Sequence, residues 1–125
     1  MGQILIIDDS SFSRKLLRRM VESAGHDVIE AGGGRQGLEM IQKSPPHCVL
    51  LDLTMPDLDG FGVLAELQKA QSNVPVIVHT ADAQERTHTQ CMGLGARAVL
   101  HKPFNNMDLS GLLETLSFAT QTKVA

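Results

Sequence analysis

The chain alternates between short apolar runs and longer segments in which apolar residues recur every three or four positions. Five of the runs are rich in β-branched residues and predict strands, at 3–7, 27–31, 47–52, 74–79 and 97–101. The segments that follow them predict helices, at 11–24, 35–43, 60–70, 83–93 and 106–118. The pattern is therefore a strand followed by a helix, repeated five times.

This alternation predicts an α/β fold. Parallel neighbouring strands need crossover connections, and right-handed crossovers place helices on both faces of one sheet. The runs at 3–7, 47–52 and 74–79 are continuously apolar, as in strands that are covered on both faces. The runs at 27–31 and 97–101 are more mixed, and we expect them nearer the edges. The predicted architecture is a doubly wound, five-stranded parallel sheet.

The first predicted helix, 11–24, shows the clearest helical period. Its apolar residues fall on one side of the helix: Phe12, Leu16, Leu17, Met20, Val21 and Ala24. Ser10 or Ser11 is expected to cap its start, and Gly25 to end it. The later segment "GGGR" at 32–35 lacks the lysine and hydroxyl spacing of a phosphate-binding P-loop, so we interpret it as a flexible connection from strand to helix.

Composition limits the kind of protein this is. The chain has 125 residues, 42% hydrophobic and 20% charged, which is typical of one soluble globular domain. The net charge of -3 argues against nucleic acid as a direct ligand. No apolar run approaches the ~20 residues that span a bilayer, and the N-terminus lacks the features of a signal peptide. We expect a cytoplasmic protein without membrane insertion, made of a single domain over 1–125 with no output domain, and with Cys48 and Cys91 as reduced thiols.

Polar side chains stand at the carboxyl ends of four predicted strands. Asp8 and Asp9 follow the first strand, and Asp52 ends the third. Thr80 follows the fourth and Lys102 the fifth. Because ligands of open parallel sheets bind just beyond the carboxyl ends of the strands, we expect these five side chains in one small region.

Three converging carboxylates would repel one another unless a cation lay among them. Oxygen ligands alone favour a hard ion, and Mg²⁺, which keeps several waters in an octahedral shell, fits a shallow site of this kind. Ca²⁺ is the alternative, although residues 52–60 lack the spacing of an EF-hand loop. With the Lys102 ammonium and the Thr80 hydroxyl beside it, the Asp52 carboxylate is arranged as an acceptor for a phosphoryl group.

Four segments carry a resemblance to the receiver domains of two-component response regulators, in particular single-domain members similar to chemotaxis regulators. These segments are "IIDDS" (6–10), "LLDLTMPDLDGFGVL" (50–64), "VIVHTAD" (76–82) and "LHKPF" (100–104). They occur in the family's order and at about its spacing, over essentially the whole chain. The resemblance implies the flavodoxin-like strand order 2-1-3-4-5.

The resemblance also implies roles for the residues near the predicted strand ends. Asp52 resembles the aspartate that accepts a phosphoryl group, in a Mg²⁺-dependent reaction, from the phosphohistidine of a sensor histidine kinase or a histidine phosphotransfer domain. Asp9 resembles the direct Mg²⁺ ligand, and Asp8 the ligand that acts mainly through water. The backbone carbonyl of Thr54 stands where the family has its third protein ligand.

The family's switch residues are only partly present. Thr80 resembles the hydroxyl that moves to the phosphoryl oxygen, and Lys102 the lysine that pairs with the phosphate. The peptide before Pro103 is expected to be cis, as is common in the family. Val99 stands where the family often has an aromatic ring, so we do not expect the usual coupled switch of threonine and ring. His101 is either a partner contact or a plain surface residue.

The outer face of the first predicted helix is basic, through Arg14, Lys15, Arg18 and Arg19. It is either a solvated helix face or a docking face for the kinase or phosphotransfer domain.

Two hypotheses for function remain. In the first, the chain is a response regulator that catalyses only its own phosphorylation and dephosphorylation, and whose phosphorylation changes its binding to a downstream target protein. In the second, motivated by Val99, it is a phosphate-independent interaction module of similar fold. A turnover phosphatase is disfavoured, because it would need a general acid where Thr54 stands.

Overall fold

The structure is a computed structural model that describes residues 2–115. Within that range five strands alternate with five helices. The strands are β1 (Gln3–Ile7), β2 (Asp27–Ala31), β3 (Cys48–Asp52), β4 (Val76–Thr80) and β5 (Ala98–His101). The helices are α1 (Ser11–Ser23), α2 (Gly34–Lys43), α3 (Gly60–Lys69), α4 (Glu85–Gly93) and α5 (Asn106–Leu113). Residues 116–118 of the last predicted helix lie outside the described residues.

The strands form one parallel sheet in the order β2-β1-β3-β4-β5. This confirms the predicted α/β class and the flavodoxin-like order. The continuously apolar strands β1, β3 and β4 lie in the interior, and the mixed strands β2 and β5 lie at the edges, as the pattern predicts. The strand order reverses between β1 and β3, which is where open sheets of this kind place their ligands.

Each face of the sheet is covered by helices. One buried cluster joins alternate residues of the strands, such as Leu5 and Leu51, to side chains of α2, α3 and α4. The other cluster joins the intervening residues, such as Ile6 and Leu50, to α1 and α5. Because side chains alternate along a strand, Asp52 shares the α1 and α5 face with Leu50. No helix within residues 2–115 is long and apolar enough to cross a membrane.

Helix α1 buries a narrower stripe than its apolar residues indicate. Leu17 and Val21 are buried, whereas Phe12 is 74% exposed and Leu16 is 47% exposed. Phe12 lies roughly 140° around the helix from Leu17, so one flat contact with the sheet and α5 cannot cover both. The apolar side predicted for this helix is therefore only partly buried, and two large apolar side chains remain on the surface.

The ends of the described elements agree with the prediction to within one residue, apart from the starts of β4 and α4 and the end of α5. Strand β4 begins at Val76, two residues later than predicted, and includes Thr80. Pro75 has no N–H to donate to a ladder, although its carbonyl accepts from Val49 N at 2.9 Å. Helix α4 begins at Glu85 rather than at 83.

The "GGGR" segment is a packing contact between two loops. Helix α2 begins inside it, and the backbone N–H groups of Gly34 and Arg35 donate to the carboxylate of Asp57 at 3.2 and 3.3 Å. A Cβ at Gly34 would lie 2.3 Å from the carbonyl oxygen of Leu58. Glycine therefore lets the loop after β3 rest against the start of α2.

Candidate functional site

Three acidic side chains converge at the carboxyl end of the sheet. Asp8, Asp9 and Asp52 each offer a carboxylate oxygen, and these oxygens lie within 4.8 Å of one another. Asp8 and Asp52 are buried and Asp9 is exposed. Three oxygen donors beside open solvent fit a hard cation such as Mg²⁺, which binds through a few carboxylates and keeps several waters.

The start of α1 fixes the Asp8 carboxylate. One of its oxygens accepts from Ser10 N at 2.9 Å, and the other from the Ser13 hydroxyl at 2.5 Å. The Ser10 side chain in turn caps the helix by accepting from Ser13 N at 3.2 Å, as the sequence predicts. The residues that cap α1 thus also hold the first acid of the site.

The buried Asp52 carboxylate is paired with a lysine. Lys102 Nζ lies 3.5 Å from Asp52 Oδ1. Burial raises the pKa of Asp52, the charge of Lys102 opposes that rise, and the nearby Asp8 adds to it. On balance the pKa of Asp52 is raised, so the ionised carboxylate lowers the stability of the fold. A bound cation would reduce this loss.

A chain of hydrogen bonds connects Thr80 to helix α4. The Thr80 hydroxyl accepts from Asp82 N at 3.0 Å, and the Asp82 carboxylate accepts from the Thr87 hydroxyl at 2.6 Å. The bond from Thr87 holds the pKa of Asp82 below its usual value. These residues and Thr54 line a cavity of about 270 Å³ next to the end of β3.

The remaining predicted switch residues lie in β5 or directly after it. Val99 is half-buried and packs against the core, while His101 is exposed and lies opposite Thr80 in the strand pair. The peptide between Lys102 and Pro103 is cis, as the resemblance implies. The described structure brings these residues to the same end of the sheet as Asp52.

Two of the arginines on the predicted docking face, Arg14 and Arg18, form ion pairs within the molecule. Arg14 Nε lies 3.0 Å from one oxygen of Glu30, and Arg18 Nε lies 2.6 Å from the other. The hydrogen bond from Arg18 is the main reason that the pKa of Glu30 is lowered. Arg14 Nη1 also donates to the backbone carbonyl of Asp8 at 2.6 Å. Both guanidinium groups therefore join α1 to β2.

His79 is a residue of the site that the sequence analysis missed. It pairs with Asp52 in the sheet, and it is 1% exposed. Neither of its ring nitrogens has a hydrogen-bond partner within residues 2–115. Burial, assisted by the charge of Lys102, lowers its pKa to about 4. One polar residue within the apolar run of β4, two positions after Ile77 and so on the same face as Asp52, was the available signal.

Comparisons with known proteins agree with this geometry. Residues 4–114 match the family model described as the response regulator receiver domain. Protein PilH of Pseudomonas aeruginosa is 37% identical over 119 residues, which cover 94% of this chain and 96% of that protein. A probable transcriptional regulator, ycf27 of Porphyridium aerugineum, is 37% identical over 114 residues, 91% of this chain and 47% of that protein.

The solved structures show the same fold. The receiver domain of the Francisella response regulator 1452 superposes with a TM-score of 0.91 at 27% identity, covering 96% of this chain and 99% of that one. The chain spans about half the length of the ycf27 relatives that it matches.

The chain belongs to the response regulator receiver domain family of two-component signalling. Receiver domains bind Mg²⁺ at an acidic pocket, and the group of Asp8, Asp9 and Asp52 is the corresponding feature here. In general they interact with histidine kinases and downstream effectors.

Proposed function

We propose that this chain accepts a phosphoryl group on Asp52 from the phosphohistidine of a sensor kinase or phosphotransfer domain, in a Mg²⁺-dependent reaction. The observation that carries the proposal is the grouping of the Asp52 carboxylate with Lys102, 3.5 Å away, and with the carboxylates of Asp8 and Asp9. Phosphorylation then alters the binding of a downstream target protein.

The residues at the strand ends divide the work of the transfer. An oxygen of Asp52, fixed at the end of β3, attacks the phosphorus while the bond to the donor imidazole breaks and its electron pair returns to the ring nitrogen. Lys102 neutralises charge on the phosphoryl oxygens. Asp9 directly, Asp8 through water, Asp52 and the Thr54 carbonyl would hold Mg²⁺, which supplies further charge neutralisation when bound.

The response to phosphorylation passes through Thr80. In the structure the Thr80 hydroxyl accepts a hydrogen bond from Asp82 N at 3.0 Å. If the hydroxyl moves towards a phosphoryl oxygen, this hydrogen bond breaks. Asp82 is bonded to Thr87 on α4, so this change reaches α4 without an aromatic ring at Val99. A bias of a few kcal/mol between two existing arrangements is enough to change binding to a partner.

The surface of α1 supports docking of the phosphodonor. Exposed residues at helical spacing form one stripe that combines apolar and basic side chains: Phe12, Lys15, Leu16 and Arg19. These four replace Arg14 and Arg18, whose guanidinium groups bind Glu30, as the best candidates for partner contacts. A partner with a complementary apolar and acidic surface would bring its phosphohistidine to the end of the sheet where Asp52 lies.

The test is intact-protein mass spectrometry after incubation with acetyl phosphate, in Mg²⁺ and in chelator. The native chain should gain one phosphoryl group only with Mg²⁺, and Asp52→Asn should gain none. Asp27→Asn removes an exposed acid at the other end of the sheet, so this control should behave as the native chain does. If the folded native chain gains no phosphoryl group from acetyl phosphate or from phosphohistidine donors, the phosphate-independent interaction module becomes the better hypothesis.

A further inference from the structure

Arg14 connects three parts of the fold through one planar group. Its Nη1 donates to the carbonyl oxygen of Asp8 at 2.6 Å, and its Nε donates to Glu30 at 3.0 Å. The side chain starts from α1, Glu30 belongs to the edge strand β2, and Asp8 lies in the loop between β1 and α1. Only 20% of the Arg14 side chain is exposed.

The carbonyl that Arg14 binds belongs to the peptide bond between Asp8 and Asp9. Because the peptide unit is planar, fixing this oxygen fixes the orientation of the whole unit up to the Cα of Asp9. The Asp8 carboxylate is held separately by Ser10 and Ser13. Asp9 is exposed, so the orientation of this peptide unit determines the direction in which the Asp9 side chain leaves the backbone.

Glu30 keeps the guanidinium group in place. Its two carboxylate oxygens bind the Nε atoms of Arg14 and Arg18, so the carboxylate is engaged from both sides. Charge-assisted hydrogen bonds to a planar guanidinium are directional and strong. The Arg14 group is therefore anchored on the edge strand while its far nitrogen reaches the Asp8 carbonyl.

We propose that Arg14, anchored by Glu30, is a positioning residue for the metal site. By fixing the peptide between Asp8 and Asp9, it directs the Asp9 carboxylate at the ion shared with Asp52. The inference rests on the proposed function for the identity of the ion, Mg²⁺, but it concerns metal binding and not the transfer step.

Positioning and charge predict opposite results for a neutral substitution. Arg14 carries a positive charge close to a cation site, so charge alone predicts that Arg14→Gln binds Mg²⁺ more tightly than the native chain does. Loss of positioning predicts weaker binding. Arg14→Lys keeps the charge but lacks the fork that binds the carbonyl and Glu30 together, so positioning predicts that lysine does not rescue binding.

The experiment is a calorimetric titration of the native chain and its variants with Mg²⁺ alone, without phosphodonor. We expect Arg14→Gln and Arg14→Lys to bind Mg²⁺ about 10-fold more weakly, the lower end of effects for groups that orient metal ligands. Arg18→Gln is the matched control, because Arg18 also binds Glu30, but its other hydrogen bond goes to Glu22 and not to the Asp8 carbonyl. It should stay within about twofold of the native chain. Thermal unfolding in chelator checks that each variant is folded.

Three results would overturn the inference: native-like or tighter Mg²⁺ binding by Arg14→Gln, native-like binding by Arg14→Lys, or equal weakening by Arg18→Gln. Absence of Mg²⁺ binding by the native chain would also overturn it. If the Arg14 variants do not fold, Glu30→Asp replaces them, because it keeps the charge but draws the carboxylate back from the Arg14 guanidinium. Weaker Mg²⁺ binding is expected, and unchanged binding would contradict the inference. A native chain that binds Mg²⁺ but is never phosphorylated contradicts the proposed function alone.

Discussion

The two ends of the sheet differ in whether a buried histidine is hydrogen-bonded among the described residues. At the amino end, the Nδ1 atom of the buried His26 accepts from Gly2 N at 3.1 Å. At the carboxyl end, the buried ring of His79 has no hydrogen-bond partner among the described residues. A satisfied polar group supports the fold, and an unsatisfied one costs stability. The amino end is therefore built for stability, while the carboxyl end keeps polar groups at a cost, as functional sites do.

Cavity size does not mark the functional end. The larger cavity, about 500 Å³, lies at the amino end between α2 and α3 and is lined largely by apolar side chains and prolines such as Ile41, Leu67 and Pro75. The cavity of about 270 Å³ beside Thr80 is smaller but contains the hydroxyl and carboxylate groups. Polar side chains converging on one place identify the site better than volume does.

The largest expected effect is that of His79→Val. The substitution removes the unpartnered imidazole, so we expect a higher free energy of unfolding at pH 7. We also expect this free energy to fall less as the pH is lowered. The pKa of His79 is lowered from 6.5 to about 4, so the native state binds fewer protons than the unfolded chain between these values. Stability is therefore full above pH 6.5 and falls as the pH drops towards 4, by roughly 3 kcal/mol at most.

Urea unfolding of the native chain and of His79→Val between pH 7.5 and pH 4 measures how the free energy of unfolding depends on pH in each. The exposed neighbour His101, changed to Val, is the control for replacing a histidine with valine at the same end of the sheet. Burial also lowers the pKa of His26, so part of the acid loss should persist in His79→Val. An unchanged slope in His79→Val would show that its ring is not buried in the neutral form.

A smaller effect of opposite sign is expected at the amino end, for His26→Leu. Leucine fills a similar volume but leaves Gly2 N without its acceptor. We therefore expect the free energy of unfolding to fall by about 2 kcal/mol at pH 7. Urea unfolding under the same conditions gives the value. Stabilisation by His26→Leu would contradict the contrast between the two ends.

The smallest effect is expected for Asp52→Asn in chelator. Because the pKa of Asp52 is raised, the native state holds its proton more tightly than the unfolded chain does. This contribution is full below the unfolded pKa and is lost as the pH rises through the native one, so the ionised carboxylate is unfavourable at pH 7. Removing its charge should stabilise the fold by about 1 kcal/mol, a rise of roughly 3 to 6 °C in melting temperature.

The exposed acid Asp27, changed to Asn, serves as the reference for Asp52→Asn, and its melting temperature should differ little from that of the native chain. Adding Mg²⁺ should raise the melting temperature of the native chain and reduce the advantage of Asp52→Asn. Equal or lower stability of Asp52→Asn in chelator would mean that the ion pair with Lys102 outweighs burial and the repulsion from Asp8.

The sequence was sufficient for the strands, their order and the acidic end of the sheet. Continuous apolar runs marked β1, β3 and β4, and each polar group of the site directly followed or ended a run. These features are local, and the topology of a parallel sheet then brings the ends of the strands together. The predicted ligand role of the Thr54 carbonyl and the partner role of His101 stay predictions.

Contacts between distant segments could not be read from the same pattern. The pairing of Glu30 with Arg14 depends on how α1 crosses β2, and the bonds from Gly34 and Arg35 to Asp57 join loops that are far apart in sequence. The exposure of Phe12 depends on the width of the surface that α1 meets, which helical period alone does not give.

The hydrogen bond between Asp82 N and the Thr80 hydroxyl would couple phosphorylation of Asp52 to binding of the target protein. If phosphorylation of Asp52 breaks this bond and rearranges α4, a target that binds only the rearranged α4 favours the phosphorylated chain in turn. Coupling free energies are reciprocal, so saturating target would raise the equilibrium constant for phosphorylation by the same factor by which phosphorylation raises the affinity for the target. The fraction of phosphorylated chain would then report the abundance of the target as well as the activity of the kinase.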